Sequence, residues 1–441
     1  MFVGVGATIA IAYACGMKFS GIDGTFFMHT QFRHGRALLL TTRDGNNNIL
    51  LLCWLICLKE DASSYDYFAK MCVAVGLGRY LNKMYSLLYS DQAKGIPAFA
   101  KLFRCYHGFC FRHLIGNCYD HLKRTPGAKK SYNIALAWKM QKAKTQLEYV
   151  EAKAALHANN PDAAAYFDGK PHRQVFLYAM LELGVSPCGH KTSNVVESIN
   201  GTIVEIRNET PYFFNDDLLK WIGKQLLARS DEIARHAAKH YTLTKWAHDQ
   251  WAYQVCAHCA HYAPLHAWQL AKAMRSKGQV EHSGSGEIYY ITDPTDPSMR
   301  EEVNLAPRRT HPHKVQCCTY VKEYALPCQH CALVFHERKF FYTGHRRTRA
   351  VIGKFWPKWV QYDTWAAAYE NTSVKRPAVV RGPYTGPAED VVLPPPAPTK
   401  KRGRPRKSRF KRNRSVRARV SRLSGEITRP DMSEGFMRDR E

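Results

Sequence analysis

The sequence is poor in acidic residues and contains no long apolar run. Its 441 residues include 37 Asp and Glu against 64 Lys and Arg, which gives a formal net charge of +27. Such an excess of positive charge favours a polyanionic partner, with nucleic acid ahead of a membrane surface. The longest apolar run, residues 49–58, has the length of a buried strand, whereas a spanning helix needs roughly 18 to 20 residues. We therefore predict no membrane span.

Two further signals are missing. Residues 1–17 are apolar, and Ala12-Tyr13-Ala14 resembles a cleavage site, but the segment lacks the basic leader of a signal peptide and runs directly into a predicted strand. The 14 cysteines are scattered without the framework of a small disulfide-rich domain, which suits a reducing compartment with some thiols used for metal. We therefore expect a protein that is not secreted.

The apolar content of 45% is enough for a sizeable core, and the chain changes texture along its length. Residues 17–92 alternate β-rich runs with turns and one helical stretch, which predicts a mixed α/β sheet. Residues 119–185 are rich in Ala, Lys and Gln with helical periodicity. After residue 275 short strands return, and from 374 onward Pro, Gly and basic residues predict a tail that is disordered when free.

Three acids stand out, although each has a purely structural interpretation. Asp23-Gly24 fits a hairpin turn, Asp91 fits a helix N-cap, and Glu197 has the spacing of a capping carboxylate after Asn194. In the functional interpretation, two aspartates at the ends of strands and a glutamate on a later helix converge on one point. Clustered carboxylates repel each other unless cations lie between them, and oxygen ligands suit Mg²⁺ or Mn²⁺. Two such ions support phosphodiester cleavage and strand transfer.

Five segments that contain or surround these acids resemble, in order, the transposase domain of Mutator-like elements (MULE). They are IDGTFF, TTRDGNNNILLLCWLICLKEDASSYDYF, SDQAKGI, CFRHLIGN and TSNVVESIN. The resemblance implies an RNase H-like fold with a DDE catalytic triad, which falls on Asp23, Asp91 and Glu197, and a helical insertion before the glutamate. It also places a Cys-x-x-His element on Cys110 and His113, whose role stays open between metal binding and packing.

A second cluster lies in VQCCTYVKEYALPCQHCALVF, where thiolates and an imidazole favour tetrahedral Zn²⁺. The stretch resembles the SWIM zinc finger that follows the catalytic domain in this family, with ligands at Cys318, Cys328 and His330. It departs from the family pattern because Gln316 occupies the first ligand position and the extra thiol is Cys317. Consecutive strand residues point to opposite faces, so both thiols chelate one ion only if the chain kinks or bulges there.

The fourth zinc ligand therefore has several candidates: Cys317, Cys331, His311 and His313. The alternative is a decayed finger held together by packing. A further Cys-x-x-Cys pair, Cys256 and Cys259 with His258 and His261, has chelate spacing but continues a helical region, which favours a structural role.

The tail carries 13 Lys or Arg and no acid between residues 400 and 422. Within it, Arg402, Gly403, Arg404, Pro405 and Arg406 resemble an AT-hook core, whose extended shape fits a narrow minor groove. The alternatives are a nuclear localisation signal or a solvated basic tail. The Pro-rich segment before it also resembles the end of Mutator-like transposases, but no zinc knuckle follows.

The interpretation that combines these features is a nuclear transposase that acts on double-stranded DNA, at element ends and in target DNA, with two Mg²⁺ or Mn²⁺ ions and a Zn²⁺; it is compatible with a homo-oligomer. We assign residues 1–230 to the RNase H-like DDE domain, with its helical insertion at about 119–185. Residues 231–300 form a connecting region of helices and strands, 301–345 the SWIM-type finger, and 374–441 the disordered basic tail. The alternatives are a domesticated, non-catalytic DNA-binding or transcriptional protein and an inactive relic.

The chain also begins almost at the first catalytic strand, whereas relatives carry an upstream DNA-binding region, which suggests a truncated gene model, a decayed copy or a host-recruited protein.

Overall fold

A computed structural model describes much of the chain. The described residues are 1–82, 86–92, 95–192, 194–237, 242–255, 279–284, 287–292, 298, 300–306, 315–338, 353–370 and 372. All of them belong to one compact unit, Met1–Pro383. The predicted basic tail lies outside them.

Among the described residues, six strands form one mixed sheet in the order β1-β4-β3-β2-β5-β6. The strands are β1 (Phe2–Gly4), β2 (Gly16–Phe26), β3 (Arg36–Asp44), β4 (Ile49–Cys57), β5 (Leu87–Ser90) and β6 (Tyr106–Phe109). Strands β2, β3 and β4 pair as an antiparallel meander, whereas β5 and β6 continue the sheet in parallel on the other side of β2. The predicted mixed α/β sheet is confirmed.

A second sheet contains three antiparallel strands in the described part of the chain: β7 (Gln279–His282), β8 (Ile288–Thr292) and β9 (Arg300–Asn304). Short strands after residue 275 are therefore confirmed. Two of the side chains that β8 buries, Tyr289 and Ile291, and Val303 of β9 belong to the same apolar cluster as the six-stranded sheet.

Helices connect several of the strands and make up most of the described residues after β6. They are α1 (Gly6–Cys15), α2 (Ala62–Ala74), α3 (Gly78–Leu81), α4 (Ile96–Phe103), α5 (Phe111–Arg124), α6 (Ile134–Lys142), α7 (Gln146–Asn159), α8 (Pro161–Asp168), α9 (His172–Val175), α10 (Leu177–Glu182), α11 (Asn194–Thr202), α12 (Pro211–Ala237), α13 (Lys245–Val255), α14 (Thr319–Tyr324), α15 (Gln329–Glu337) and α16 (Tyr362–Tyr369), with 3₁₀ turns η1 (Ile206–Asn208) and η2 (Lys358–Val360). In the described ranges no helix is long and apolar enough to cross a membrane.

The buried apolar side chains form two clusters. The larger one surrounds the sheet, where the continuous apolar runs of β3 and β4 are buried on both faces, and it includes the side chains of α14 and α15. The smaller one lies among α5 to α10, with Phe111, Met140, Leu156 and Phe167 fully buried. These helices therefore have a core of their own, in the region where the sequence predicts a helical insertion.

A buried aspartate fixes the last helix to the turn between β3 and β4. Asp44 is fully buried, and its carboxylate accepts hydrogen bonds from the backbone amides of Asn46 (2.9 Å) and Asn48 (2.7 Å). It also accepts bonds from Trp365 Nε1 at 2.7 Å and the Tyr369 hydroxyl at 2.8 Å, both on α16. One side chain thus stabilises the turn and holds a helix more than 300 residues away in sequence.

We expect the Asp44→Ala variant to lose about 3 kcal/mol or more in the free energy of unfolding. The substitution leaves two buried side-chain donors and two backbone amides without their acceptor, and each unpaired buried group costs about 1 to 3 kcal/mol. Chemical denaturation followed by circular dichroism measures the difference. The matched control is Asp66→Ala, which removes an exposed acid paired with Lys70 on α2 and should cost less than about 1 kcal/mol. Equal losses in the two variants would contradict this role of Asp44.

Candidate functional site

The parallel pairing of β2 with β5 brings the two predicted catalytic aspartates to one end of the sheet. The strands pair Phe19 with Leu87 and Gly21 with Tyr89, so continuing the register places Asp23 opposite Asp91. The hairpin-turn interpretation of Asp23 is wrong, because β2 continues through it and pairs Asp23 with Leu39 of β3. The N-cap interpretation of Asp91 is also wrong, because the N-cap of the following helix is Gly95.

Glu197 lies on α11, which packs directly on β2. A Cβ atom at Gly21 would lie 2.6 Å from Val196 Cγ2 and 2.8 Å from Val195 Cγ1, so only glycine permits this approach. The same helix contacts the first aspartate, because Asn200 Nδ2 donates a hydrogen bond of 3.0 Å to Asp23 Oδ2. The third predicted acid is therefore on an element that also orients the first.

The electrostatics of Asp23 indicate a strongly anionic environment. Burial raises the pKa of its carboxyl from 3.8 to about 7; His113 lowers the pKa, whereas Asp91, Glu197 and a further acid, Glu60, each raise it. All three predicted acids thus lie close enough to act on one another. This donor set fits hard divalent cations such as Mg²⁺ or Mn²⁺, whose charge would offset that of the ionised carboxylates.

Both oxygens of the Glu197 carboxylate contact residues at the start of α5. Its Oε2 atom accepts a hydrogen bond of 3.0 Å from Arg112 NH1, and its Oε1 atom lies 3.4 Å from Cys110 Sγ and 3.9 Å from His113 Nδ1. Among the described residues, the group of potential metal ligands around Glu197 therefore contains Cys110 and His113 rather than Asp23 and Asp91.

Several residues that support the site were not predicted from the sequence. Glu60 lies just before α2, and its carboxylate fills the space next to Gly24, where a Cβ atom would come within 2.5 Å of it. The hydroxyl of Tyr65 donates a 2.7 Å hydrogen bond to Glu60. The sequence could have indicated Asn200, because it lies three residues after Glu197 and therefore on the same side of a helix. It gave no indication of Glu60, because an acid at the start of a helix is expected as the N-cap, and Asp61 takes that position.

The backbone at Asp91 is held by a hydrogen bond from the neighbouring Ser90 side chain. Ser90 Oγ donates a 2.6 Å hydrogen bond to the Asp91 carbonyl oxygen and lies 2.7 Å from His107 Nε2 on β6. Because the Ser90 proton is already used, His107 Nε2 is the donor to Ser90 Oγ. Burial lowers the pKa of His107 to about 4, so the ring is neutral at neutral pH and carries its proton on Nε2.

The predicted zinc ligands lie together. One ligand atom from each of Cys317, Cys318, Cys328 and His330 lies within 4.8 Å of every other, and this cluster could bind zinc. Cys317 Sγ is 3.4 Å from Cys328 Sγ and 3.5 Å from His330 Nδ1. Hydrogen bonds from Cys317 and Cys328 lower the pKa of Cys318, which favours the thiolate that a metal needs.

Both consecutive cysteines enter this cluster, so the expected conflict between adjacent strand residues does not arise. Gln316 is bridged to Asn304 of β9, and α14 begins at Thr319 with Cys318 as its N-cap (φ −59°, ψ 177°). The chain therefore turns from extended to helical geometry at the two thiols. Of the two proposed fourth ligands that the structure describes, Cys317 and Cys331, the cluster contains Cys317.

The segment that contains the Cys317–His330 cluster contacts the loop that leads to Glu197. The backbone carbonyl of Glu323, at the end of α14, accepts hydrogen bonds from Ser186 Oγ (2.9 Å) and the Gly189 amide (3.2 Å). Its carboxylate is 1% exposed and lies 2.9 Å from Lys191 Nζ and 3.7 Å from Lys144 Nζ. A buried acid thus joins α14, the loop before α11 and the helical block.

Several predicted site residues lie outside the described residues. They are the pair Cys256 and Cys259 with His258 and His261, the alternative zinc ligands His311 and His313, and the AT-hook-like residues Arg402, Gly403, Arg404, Pro405 and Arg406. Their roles stay predictions.

We expect Asp23→Asn to stabilise the protein at pH 8, but not at pH 5, in buffer without added Mg²⁺. The folded pKa of about 7 lies above the unfolded value near 3.9, so the folded state binds the proton more tightly, and wild-type stability falls as the pH rises from about 4 to about 7. The neutral amide removes this loss, by about 1 to 4 kcal/mol at pH 8. Denaturation curves at both pH values test this, with Asp66→Asn as the control. A difference between Asp23→Asn and wild type that does not change with pH would contradict it.

We also expect purified protein to contain about one zinc ion at the Cys317–His330 cluster, which Cys328→Ser and His330→Ala should remove. Because structural zinc contributes folding free energy, both variants should lose amide-exchange protection in α14 and α15. Elemental analysis and hydrogen exchange provide the measurements. Cys57→Ser, which changes a thiol outside the cluster, should keep its zinc. Folded wild-type protein without zinc would leave the decayed-finger alternative.

Comparison with known proteins does not assign the chain to a family. No family model matches it, and no curated protein matches it significantly. The function must therefore be argued from the residues and their geometry.

Proposed function

We propose that the protein is a nuclear DNA transposase of the Mutator-like class, which nicks DNA at element ends and transfers the strand into target DNA. The observation that carries the proposal is the pairing of β2 with β5, which places Asp23 opposite Asp91, while Glu197 on α11 lies close enough to raise the pKa of Asp23. Two aspartates and a glutamate from three separate elements are the residues that the DDE resemblance requires.

The sheet also supports an RNase H-like fold. Strands β2 to β4 form an antiparallel meander, and β5 and β6 extend it in parallel on the other side of β2, which is compatible with the mixed sheet of that fold class. The block α5–α10 occupies the sequence between the second and third acids, where the resemblance implies an insertion.

In this proposal Asp23, Asp91 and Glu197 would hold two Mg²⁺ or Mn²⁺ ions. When bound, such ions activate a water molecule or a 3′-hydroxyl and stabilise the leaving oxygen of a phosphodiester. The protein's own groups hold the acids in place: Asn200 and the Gly24 amide each donate a hydrogen bond of 3.0 Å to the Asp23 carboxylate, and Ser90 fixes the backbone of Asp91.

Charge and the remaining motifs support DNA as the partner. The net charge of +27 attracts phosphate backbones. The basic residues 400–422 would add further phosphate contacts, and their Arg402–Arg406 segment would read a narrow minor groove. The Cys317–His330 cluster would be a SWIM-type zinc finger. The basic tail would also serve nuclear import, and a homo-oligomer would bring two element ends together.

A second candidate function is a non-catalytic DNA-binding or transcriptional protein that keeps the fold. The observation that favours it is that Arg112 and Cys110 contact the two oxygens of the Glu197 carboxylate, which the proposed reaction needs for metal. A pseudo-active site of this kind would bind DNA through the same basic surfaces without cleaving it.

Purified protein should nick supercoiled plasmid DNA in Mg²⁺ or Mn²⁺ and transfer a pre-cleaved 3′ end. Replacing Asp23, Asp91 or Glu197 by Ala should lower the rate by about 100-fold or more, because one lost ligand disturbs both ions. Gel assays of nicking and strand transfer measure both steps. Salt-dependent DNA binding should persist in all three variants, since it depends on Lys and Arg.

Asp66→Ala, which removes an exposed acid from α2, is the matched control and should keep the wild-type rate. Wild-type activity in Asp91→Ala would show that the triad assignment is wrong. DNA binding without any metal-dependent nicking by the wild-type protein would instead support the non-catalytic alternative.

A further inference from the structure

Three side chains of different chemistry that can each bind a metal lie together, and one of them is the third acid of the predicted triad. One ligand atom each of Cys110, His113 and Glu197 lies within 4.8 Å of the other two. Cys110 Sγ is 3.4 Å and His113 Nδ1 is 3.9 Å from Glu197 Oε1. A tetrahedral zinc ion, with bonds of about 2.0 to 2.3 Å, spaces a sulfur and an oxygen ligand roughly 3.5 Å apart and a nitrogen and an oxygen ligand roughly 3.3 Å apart. The sulfur–oxygen separation therefore matches that of a zinc site, and a shift of about 0.6 Å would bring the nitrogen–oxygen separation to the same geometry.

Local structure explains why these side chains converge. Cys110 is the N-cap of α5 and His113 is in its first turn, three residues later, so both lie on the same side of the helix start. Glu197 comes from α11. Arg112 NH1 holds its other oxygen, Oε2, at 3.0 Å, which fixes the carboxylate with Oε1 toward the thiol and the imidazole.

The histidine supplies an independent indication of a ligand. His113 Nδ1 is buried and makes no hydrogen bond in the structure, although the side chain as a whole is 37% exposed. A buried imidazole nitrogen without a partner is costly, and a cation between it and Glu197 Oε1 would satisfy it. The thiol is favourably placed as well, because the N-terminus of a helix stabilises a thiolate.

We propose that Cys110, His113 and Glu197 form a second zinc site, separate from the Cys317–His330 cluster. Thiolate and imidazole ligands select zinc over magnesium, whose preferred ligands are all oxygen. Cys110 is fully buried, whereas the side chains of His113 and Glu197 are 37% and 18% exposed. The site is thus closed on the sulfur side and open to solvent on the other, where a water molecule or a phosphate oxygen completes the coordination.

The site has a regulatory consequence that rests on the proposed function. Glu197 is also the third acid of the proposed triad, so zinc bound through its Oε1 atom competes with the Mg²⁺-dependent reaction for one carboxylate. Zinc at low concentration then inhibits nicking, while the zinc of the finger leaves the catalytic residues untouched.

The direct test is Co²⁺ titration of the full-length chain with its finger zinc left in place. Wild-type protein should take up one further equivalent and develop a thiolate-to-cobalt charge-transfer absorption. Cys110→Ser should abolish that absorption. It should also weaken the affinity for the further Co²⁺ ion at least about tenfold, the minimum expected from losing one of three ligands. The control is Cys118→Ser, which changes another fully buried thiol of α5 outside the group and should keep the absorption.

His113→Gln provides a second variant, at a side chain that is partly exposed. It should weaken the affinity for the same Co²⁺ ion at least about tenfold. The proposal is overturned if added Co²⁺ produces no thiolate absorption in wild type, or if Cys110→Ser and His113→Gln bind Co²⁺ as wild type does. In nicking assays, half-inhibition of His113→Gln should need at least about tenfold more Zn²⁺ than that of wild type. If wild type does not nick DNA, the proposed function fails, and the cobalt absorption still decides the metal site.

Discussion

The parallel pairing of β2 with β5 is the constraint on which the candidate site depends. Two strands that run in the same direction end at the same edge of a sheet, so their register alone brings Asp23 and Asp91 together from positions 68 residues apart in the sequence. The antiparallel partner β3 lies on the other side of β2 and holds Asp23 within a continuous ladder. With the first two acids fixed by backbone hydrogen bonds, α11 needs to deliver only one side chain, and Gly21 provides the space for it.

The position of α11 depends in turn on a residue far along the chain. Glu323 is nearly fully buried between Lys191 and Lys144, and its carbonyl oxygen accepts bonds from the loop that precedes α11. Removing Lys191 and Lys144 together would leave the buried Glu323 carboxylate uncompensated, at a cost of about 3 to 5 kcal/mol. Because Cys318 is the N-cap of α14, the same helix has a residue of the Cys317–His330 cluster at one end and this contact at the other. The cluster and the loop before Glu197 are therefore connected through α14.

Much of the sheet could be predicted from the sequence, because runs such as ALLLTTR and ILLLCWLICL are apolar over the length of a strand and are bounded by a clear turn. The choice between Asp23 as a turn residue and Asp23 as a strand residue depends on pairing with β3, which no local pattern encodes. The same holds for Cys317 and Cys318, whose geometry depends on where α14 begins. Glu60 could not be predicted at all, since its proximity to Gly24 comes from tertiary packing of the segment before α2.

The choice between the catalytic and the non-catalytic interpretation depends on which groups the Glu197 carboxylate contacts. Its carboxylate has two oxygens, and Arg112 holds one of them while the other faces Cys110 and His113. The Arg112 side chain is 48% exposed, so its ion pair is weak, at about 1 kcal/mol or less. Turning the carboxylate toward Asp23 therefore costs little from Arg112, and a hard cation between the acids would offset that cost. In the two proposed sites, a soft cation between the thiol and the imidazole would oppose the same rotation, so magnesium and zinc would compete for Glu197.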